Sequence, residues 1–205
     1  MIRFSIQILL FGLLVGCASG LVEEQPPAVF FELEYAPPAV TCSHHFDAGV
    51  GIVEWNVFGP FDRREMVVEE RGRRVRISGG YQWVDRPGRM VTESLIRDLS
   101  AGGLFPRVAG AEGGFMLPLE LTGRIEKFSW NREGASPEAV FAVAISLIDR
   151  RARTVLFQRT YRLEKPSSDG DDAAAFAQTM SLLVQDFSSR LQHDLCRAAA
   201  DRGSR

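Results

Sequence analysis

The chain has 205 residues with 24 basic against 26 acidic side chains, a formal charge of −2 at pH 7, and this balance excludes the broad positive field of a nucleic-acid-binding protein. Its length suits one domain with a sizeable core and would cramp two.

Residues 1–16 place a single basic side chain, Arg3, ahead of an apolar run from Ile6 to Val15. The run is too short for the ~20 apolar residues that cross a bilayer, so it reads as a secretory signal peptide. Leu14-Val15-Gly16-Cys17 closes it as a bacterial lipobox, which makes Cys17 the expected lipidation site and the first residue after cleavage. One acyl chain, at ~0.8 kcal/mol per buried methylene, anchors weakly, whereas two or three hold a protein on the membrane. Ala18 rather than Asp follows the cysteine, which sorts the expected anchor to the outer membrane, facing the periplasm. Residues 17–27 are small, acidic and proline-tipped and read as the lipidated tether.

Residues 28–198 read as a single α+β domain, with 199–205 as a C-terminal tail. Ala28 to Tyr35 is rich in strand formers and stops at Pro37-Pro38, and Val50 to Val57 predicts a second strand. Glu65 to Glu70 and Arg73 to Ile77 suggest a hairpin around Gly72, after which Gly79-Gly80 turns the chain towards Tyr81-Gln82-Trp83. Asp85 is a candidate N-cap with Pro87 in the first turn, and Met90, Val91, Ser94, Leu95 and Leu99 recur at helical spacing up to Gly102-Gly103. A short strand, Phe105 to Val108, and a glycine-rich loop, Gly110 to Gly114, follow.

Leu117 to Trp130 keeps Leu119, Leu121, Gly123 and Ile125 on one face until Phe128 and Trp130 break the register, as at a bulge. Glu138 to Ile148 is apolar on both faces, as in a central strand. Thr154 to Leu163 alternates Val155, Phe157, Tyr161 and Leu163, and the three segments predict an antiparallel meander. Asp169-Gly170-Asp171-Asp172 favours a helix start. Phe176, Met180, Leu183, Val184, Phe187, Leu191 and Leu195 then form one apolar stripe for a long helix on the sheet. The expected fold class is α+β, a mostly antiparallel sheet carrying a mid-chain helix and a long C-terminal helix.

Candidate chemistry is sparse. Cys42 and Cys196, in an exported chain, are a candidate disulfide, with two free thiols and redox chemistry as the other readings. His44, His193 and the two cysteines could form a metal site only if the ends of the domain meet; ordinary surface histidines are the plainer reading. The acidic run at 169–172 lacks the spacing of an EF-hand loop, and the glycine pairs lack that of a phosphate loop. No catalytic residue, metal or cofactor is assigned, and the chain is not expected to be an enzyme. Arg63, Arg64, Arg71, Arg73, Arg74 and Arg76 crowd fourteen positions. They are either a solvated hairpin or a contact with anionic headgroups or an acidic partner surface. Phe30, Phe31, Trp55, Trp83 and Trp130 read as core.

Taken from Phe30, the order of these features resembles the auxiliary lipoproteins of ABC-type transport systems that accompany MCE-domain lipid transporters in Gram-negative envelopes. The resemblance rests on Phe30-Phe31-Glu32-Leu33 after the tether, Tyr81-Gln82-Trp83 before a proline and a helix, and Gly103-Leu104-Phe105 after that helix. The strand ending at Phe128 and Trp130, the strand Val143 to Asp149 and the long last helix complete it. Thr41-Cys42-Ser43-His44-His45 and the arginine-rich hairpin depart from the family pattern. The resemblance implies a non-catalytic part in moving phospholipids between membranes, with an MCE-domain protein and an ABC permease and ATPase as partners; a homo-oligomer is compatible with it. The alternative on the same anchored architecture is an outer-membrane assembly or adaptor lipoprotein that helps place another envelope protein or polymer.

Overall fold

The computed structural model describes residues 27–72, 74–110, 116–134, 136–167 and 172–203. Cys17, Arg73, the acids at 169 and 171, and most of the glycine-rich loop lie outside the described residues.

Among the described residues nine strands share one mixed sheet. They are β1 (Val29–Phe31), β2 (Val50–Ile52), β3 (Asn56–Val57), β4 (Glu65–Glu70), β5 (Arg74–Trp83), β6 (Val108–Gly110), β7 (Leu119–Asn131), β8 (Glu138–Asp149) and β9 (Thr154–Pro166). Among the described residues two α-helices, α1 (Pro87–Ala101) and α2 (Ala173–Gly203), and a 3-10 turn at Gly59–Phe61 complete the α+β fold. The expected meander is present as the antiparallel ladders β7–β8 and β8–β9. The register shift between Ile125 and Lys127 is the bulge that brings Phe128 and Trp130 back to the buried face.

Strand β7 is the spine. Its edge away from β8 is shared in turn by β2, β3 and β4, all parallel to it. From there the sheet continues through β2 to β6 and through β4 and β5 to β1. The long ladders are antiparallel and the short ones parallel, because β2, β3 and β4 reach β7 in chain order without reversing.

The stripe on α2 is buried along its length: Phe176, Met180, Leu183, Val184, Phe187, Leu191 and Leu195 are each at most 2% exposed. It packs on Phe141, Val143, Ile145 and Leu147 of β8 and on Tyr161 and Leu163 of β9. Phe187 meets Trp55, Phe141 and Tyr161 edge-on, and Phe176 stacks on Trp130 at 5.1 Å. The five aromatics read as core divide: Trp55, Trp83 and Trp130 are buried, Phe31 is half-buried, and Phe30 is exposed.

Four local expectations are corrected. The first strand stops at Phe31, because the following backbone turns to the helices: Glu34 N–H donates to Ser181 Oγ, the Gln185 amide to Ala36 O, and the Tyr35 hydroxyl to Asp98. The segment Val50 to Val57 breaks at Trp55, whose N–H donates to Thr92 Oγ1 on α1 at 3.1 Å, leaving β2 and β3 on either side. Gly79-Gly80 is no turn; β5 runs through it, and the irregularity opposite Met66 absorbs the extra residues. Arg86, not Asp85, is the N-cap of α1; the Asp85 carboxylate accepts from Arg86 N–H and pairs with Arg89, while Pro87 removes a donor at the first position. Asp172 does cap α2, accepting from the N–H groups of Ala174 and Ala175.

Candidate docking surfaces

Cys42 and Cys196 are joined as a disulfide with Cα atoms 5.9 Å apart. It ties the segment after β1 to the last turns of α2, and it occupies the two sulfurs that a metal site with His44 and His193 would have needed. Among the described residues no three His, Cys, Asp or Glu side chains are grouped to hold a metal ion. All three histidines are exposed.

The predicted arginine cluster does not converge on one point. Arg63 and Arg64 lie before β4: Arg63 donates to Pro60 O, while Arg64 donates to Trp83 O and covers the Phe30 ring at 5.3 Å. Arg71, Arg74 and Arg76 lie at the other end of the β4–β5 hairpin, about 20 Å away at ~3.4 Å per residue. There Arg74 donates to Arg71 O, and Arg76 pairs with Glu70 at 2.7 Å. The hydrogen bond from Arg76 holds the Glu70 carboxyl below its ordinary range against a small desolvation effect. Around these arginines stand exposed apolar side chains. Of the ten large hydrophobic residues exposed among the described residues, five belong to β1 and β5, namely Val29, Phe30, Val75, Ile77 and Tyr81, and Val84 follows directly. The β1–β5 side of the sheet is therefore both apolar and basic.

A second charged surface lies at the opposite end, between β9 and the C-terminal half of α2. Asp194, 7% exposed, accepts from Tyr161 Oη at 2.6 Å and pairs with Arg159 at 2.8 Å and with Arg197 one helical turn on. Burial alone would raise the Asp194 carboxyl. The hydrogen bonds from Tyr161 and Arg197 and the Arg159 charge outweigh it, so the group is held below its ordinary value. Burial, and then the hydrogen bond to Asp194, push the Tyr161 phenol up. Two open clefts of about 860 and 370 Å³ flank this knot and share Arg159, Asp194 and Arg197 as walls. Arg162, Arg190 and Arg202 complete the basic lining. Sequence reasoning passed over this surface, although Arg190, His193, Asp194, Arg197 and Asp201 recur at spacings of three and four, a polar stripe beside the apolar one. A similar buried carboxylate, Asp98, receives Tyr35 Oη at 2.8 Å and Arg97 at 2.9 Å and fastens the segment after β1 to α1. No helix among the described residues is long and apolar enough to cross a membrane.

A mixed sheet with two α-helices packed in its core defines an α+β fold. The chain belongs to the ABC-type transport auxiliary lipoprotein component family, whose model matches residues 32–191. Among solved structures, protein XCC0632 from Xanthomonas campestris is similar with a TM-score of 0.76 at 15% identity, covering 86% of this chain and 100% of that one. An uncharacterized protein follows at 0.65 and 12% identity, covering 83% and 99%. The PelC dodecamer of Paraburkholderia phytofirmans is more distant, at 0.46 and 18% identity over 77% of this chain and 95% of that one. The first two likenesses, at identities this low, show a shared fold and nothing about partners. No curated protein matches the chain in sequence.

Proposed function

We propose that this protein is the non-catalytic, membrane-anchored auxiliary component of an MCE-type intermembrane phospholipid transport system. It is held on the periplasmic face of the outer membrane by lipid on Cys17. The signal peptide at 1–16, the tether at 17–27 and one domain from residue 28 to about 198 are the parts this reading assigns, and α2 carries that domain on through Ala199, which is buried in the core, to Gly203. Its partners are an MCE-domain protein and, beyond it, an inner-membrane permease and ATPase. The supporting observation is membership of the auxiliary lipoprotein family over 32–191, with a lipobox ahead of the matched region.

The apolar and basic end at β1 and β5 suits contact with the bilayer in which the anchor sits. Exposed aromatic and aliphatic side chains partition into the headgroup boundary, and arginines contribute ~1 kcal/mol each near an anionic surface. In this reading Arg64, Arg71, Arg73, Arg74 and Arg76 meet headgroups, with Arg63 at the margin. Purification of the tagged full-length protein from its native envelope in mild detergent tests the assignment. Co-purification of an MCE-domain protein with its permease and ATPase supports it. Recovery of only an outer-membrane barrel or a wall-synthesis protein favours the assembly-factor alternative instead.

A further inference from the structure

Strand β9 is the last strand of the meander. It pairs with β8 from Thr154 to Pro166 and with no other described strand. Its outer edge leaves N–H and C=O groups of alternate residues without a ladder partner over thirteen residues. Alongside it, α2 runs in the opposite direction. The larger cleft sets Thr154, Val155 and Phe157 against Arg197 and Arg202, and the smaller sets Arg159 and Arg162 against Arg190 and Asp194. The trough is thus a strand edge overhung by one side of a helix.

Its charge is opposite to that of the whole chain. Five guanidinium groups, from Arg159, Arg162, Arg190, Arg197 and Arg202, line it beside two carboxylates, Asp194 and Asp201. Asp194 is engaged by Tyr161, Arg159 and Arg197, and Arg162 pairs with Glu164 of its own strand, which leaves Arg190 and Arg202 as the side chains that carry the positive excess. Arg190 is exposed and makes no ion pair among the described residues. Arg159 and Lys165, with Pro166 lacking an N–H, also disfavour pairing of this edge with a second copy of itself, Glu164 being paired with Arg162 on its own strand.

We propose that this trough binds an extended, acidic segment of a partner polypeptide, which adds to β9 as a further strand. An added strand directs every second side chain towards the helix side. Carboxylates at alternate positions would then meet Arg190, Arg197 and Arg202. About seven residues at ~3.3 Å each cover the ~18 Å that the helix rises from Arg190 to Arg202. Exposed Val155 and half-buried Phe157 supply apolar contact at one end. The elongated form and the open backbone edge favour a polypeptide over a lipid headgroup, which would use the arginines and leave the edge unpaired. The proposal goes beyond the transport reading and stands whichever envelope system supplies the partner.

The test pans a random library of displayed seven-residue peptides against the full-length lipoprotein in mild detergent and measures the selected peptides by fluorescence anisotropy. Selection of peptides with Asp or Glu at alternate positions is expected. Their binding should fall at least tenfold on N-methylation of alternate backbone nitrogens, and by a similar factor in an Arg190→Glu/Arg202→Glu variant of unchanged thermal midpoint. An Arg71→Glu variant, at the other end of the sheet, should bind as the unaltered protein does. Selected peptides without acidic enrichment, or acidic binders indifferent to both N-methylation and the double substitution, would overturn the proposal. So would phosphatidylglycerol vesicles that need Arg190 and Arg202 while no peptide does.

Discussion

Removing the carboxylate at 194 separates two contributions that a contact map alone would merge. In Asp194→Ala, Tyr161 loses a charged acceptor at 2.6 Å in a nearly closed site, and hydrogen bonds to charged groups contribute about 1.5–3 kcal/mol. The two ion pairs add less, because the side chains of Arg159 and Arg197 are 51% and 74% exposed, and such pairs seldom exceed about 1 kcal/mol. The expected loss is about 3 kcal/mol, read as a lower urea midpoint at unchanged slope. Tyr161→Phe should cost about 1–2 kcal/mol, and the double variant less than the sum, since both remove the same bond.

The pH dependence of that difference has a definite sign. The folded Asp194 pKa is depressed, so its contribution is full above the unfolded carboxyl value near ~3.9 and disappears as pH falls through the folded value. The folded Tyr161 pKa is raised, so its contribution is full below ~10 and is lost as pH rises through the folded value. The gap between unaltered protein and Asp194→Ala should be flat from about pH 5 to 9 and close below about pH 4. A cost under about 0.5 kcal/mol, or strict additivity with Tyr161→Phe, would show that the knot does not hold α2 to β9.

Three further outcomes follow from the same coordinates. Opening the Cys42–Cys196 bond by Cys→Ser substitution at both positions releases a closed loop spanning 154 positions; the chain-entropy estimate is about 5 kcal/mol, a calorimetric midpoint lower by about 10–20 °C. Gly123→Ala should cost about 1–3 kcal/mol in denaturant unfolding, because its Cβ would overlap the indole of Trp55, which Phe187 holds from the other side; an unchanged midpoint would mean that the Trp55 site yields. Phe30→Ser with Ile77→Ser, at exposed positions, should leave the midpoint within about 0.5 kcal/mol while lowering sedimentation of a Cys17→Ala protein with phosphatidylglycerol vesicles severalfold; equal sedimentation would sink the membrane-facing assignment.

The legible parts of the fold were those where one periodicity runs unbroken. The stripe from Phe176 to Leu195 and the two-faced apolar run of β8 could each satisfy one element only, and both are present. The failures cluster where side chains, rather than the ladder, hold the backbone. Residues 32–36 have strand-like composition yet bond to Ser181, Gln185 and Asp98, none of them near in sequence. Trp55 interrupts a strand because Thr92 and Gly88, more than thirty positions on, fit closely against it. The arginines near the hairpin stood out by crowding within fourteen positions, and the structure spreads them over two ends of a strand. Those of the β9 trough are separated in sequence by up to 43 positions, Arg159 to Arg202, and only the antiparallel run of α2 along β9 brings them together.

The two charged surfaces also differ in what they can reach. In the path β1–β5–β4–β7–β8–β9, five strand steps separate the tether end from the trough. At ~4.8 Å per step this is about 24 Å along the curled sheet. In the proposed reading, lipid on Cys17 alone fixes only the distance of the domain from the bilayer and not which end faces it. If β1 and β5 meet the bilayer as proposed, that contact would fix the orientation and turn β9 away from the membrane, towards an extended segment of a partner. The two surfaces then act independently: Phe30→Ser with Ile77→Ser should loosen the orientation on vesicles without altering peptide affinity, and Arg190→Glu with Arg202→Glu should do the reverse. A single variant that moved both readouts together would place the two functions on one surface and contradict this division.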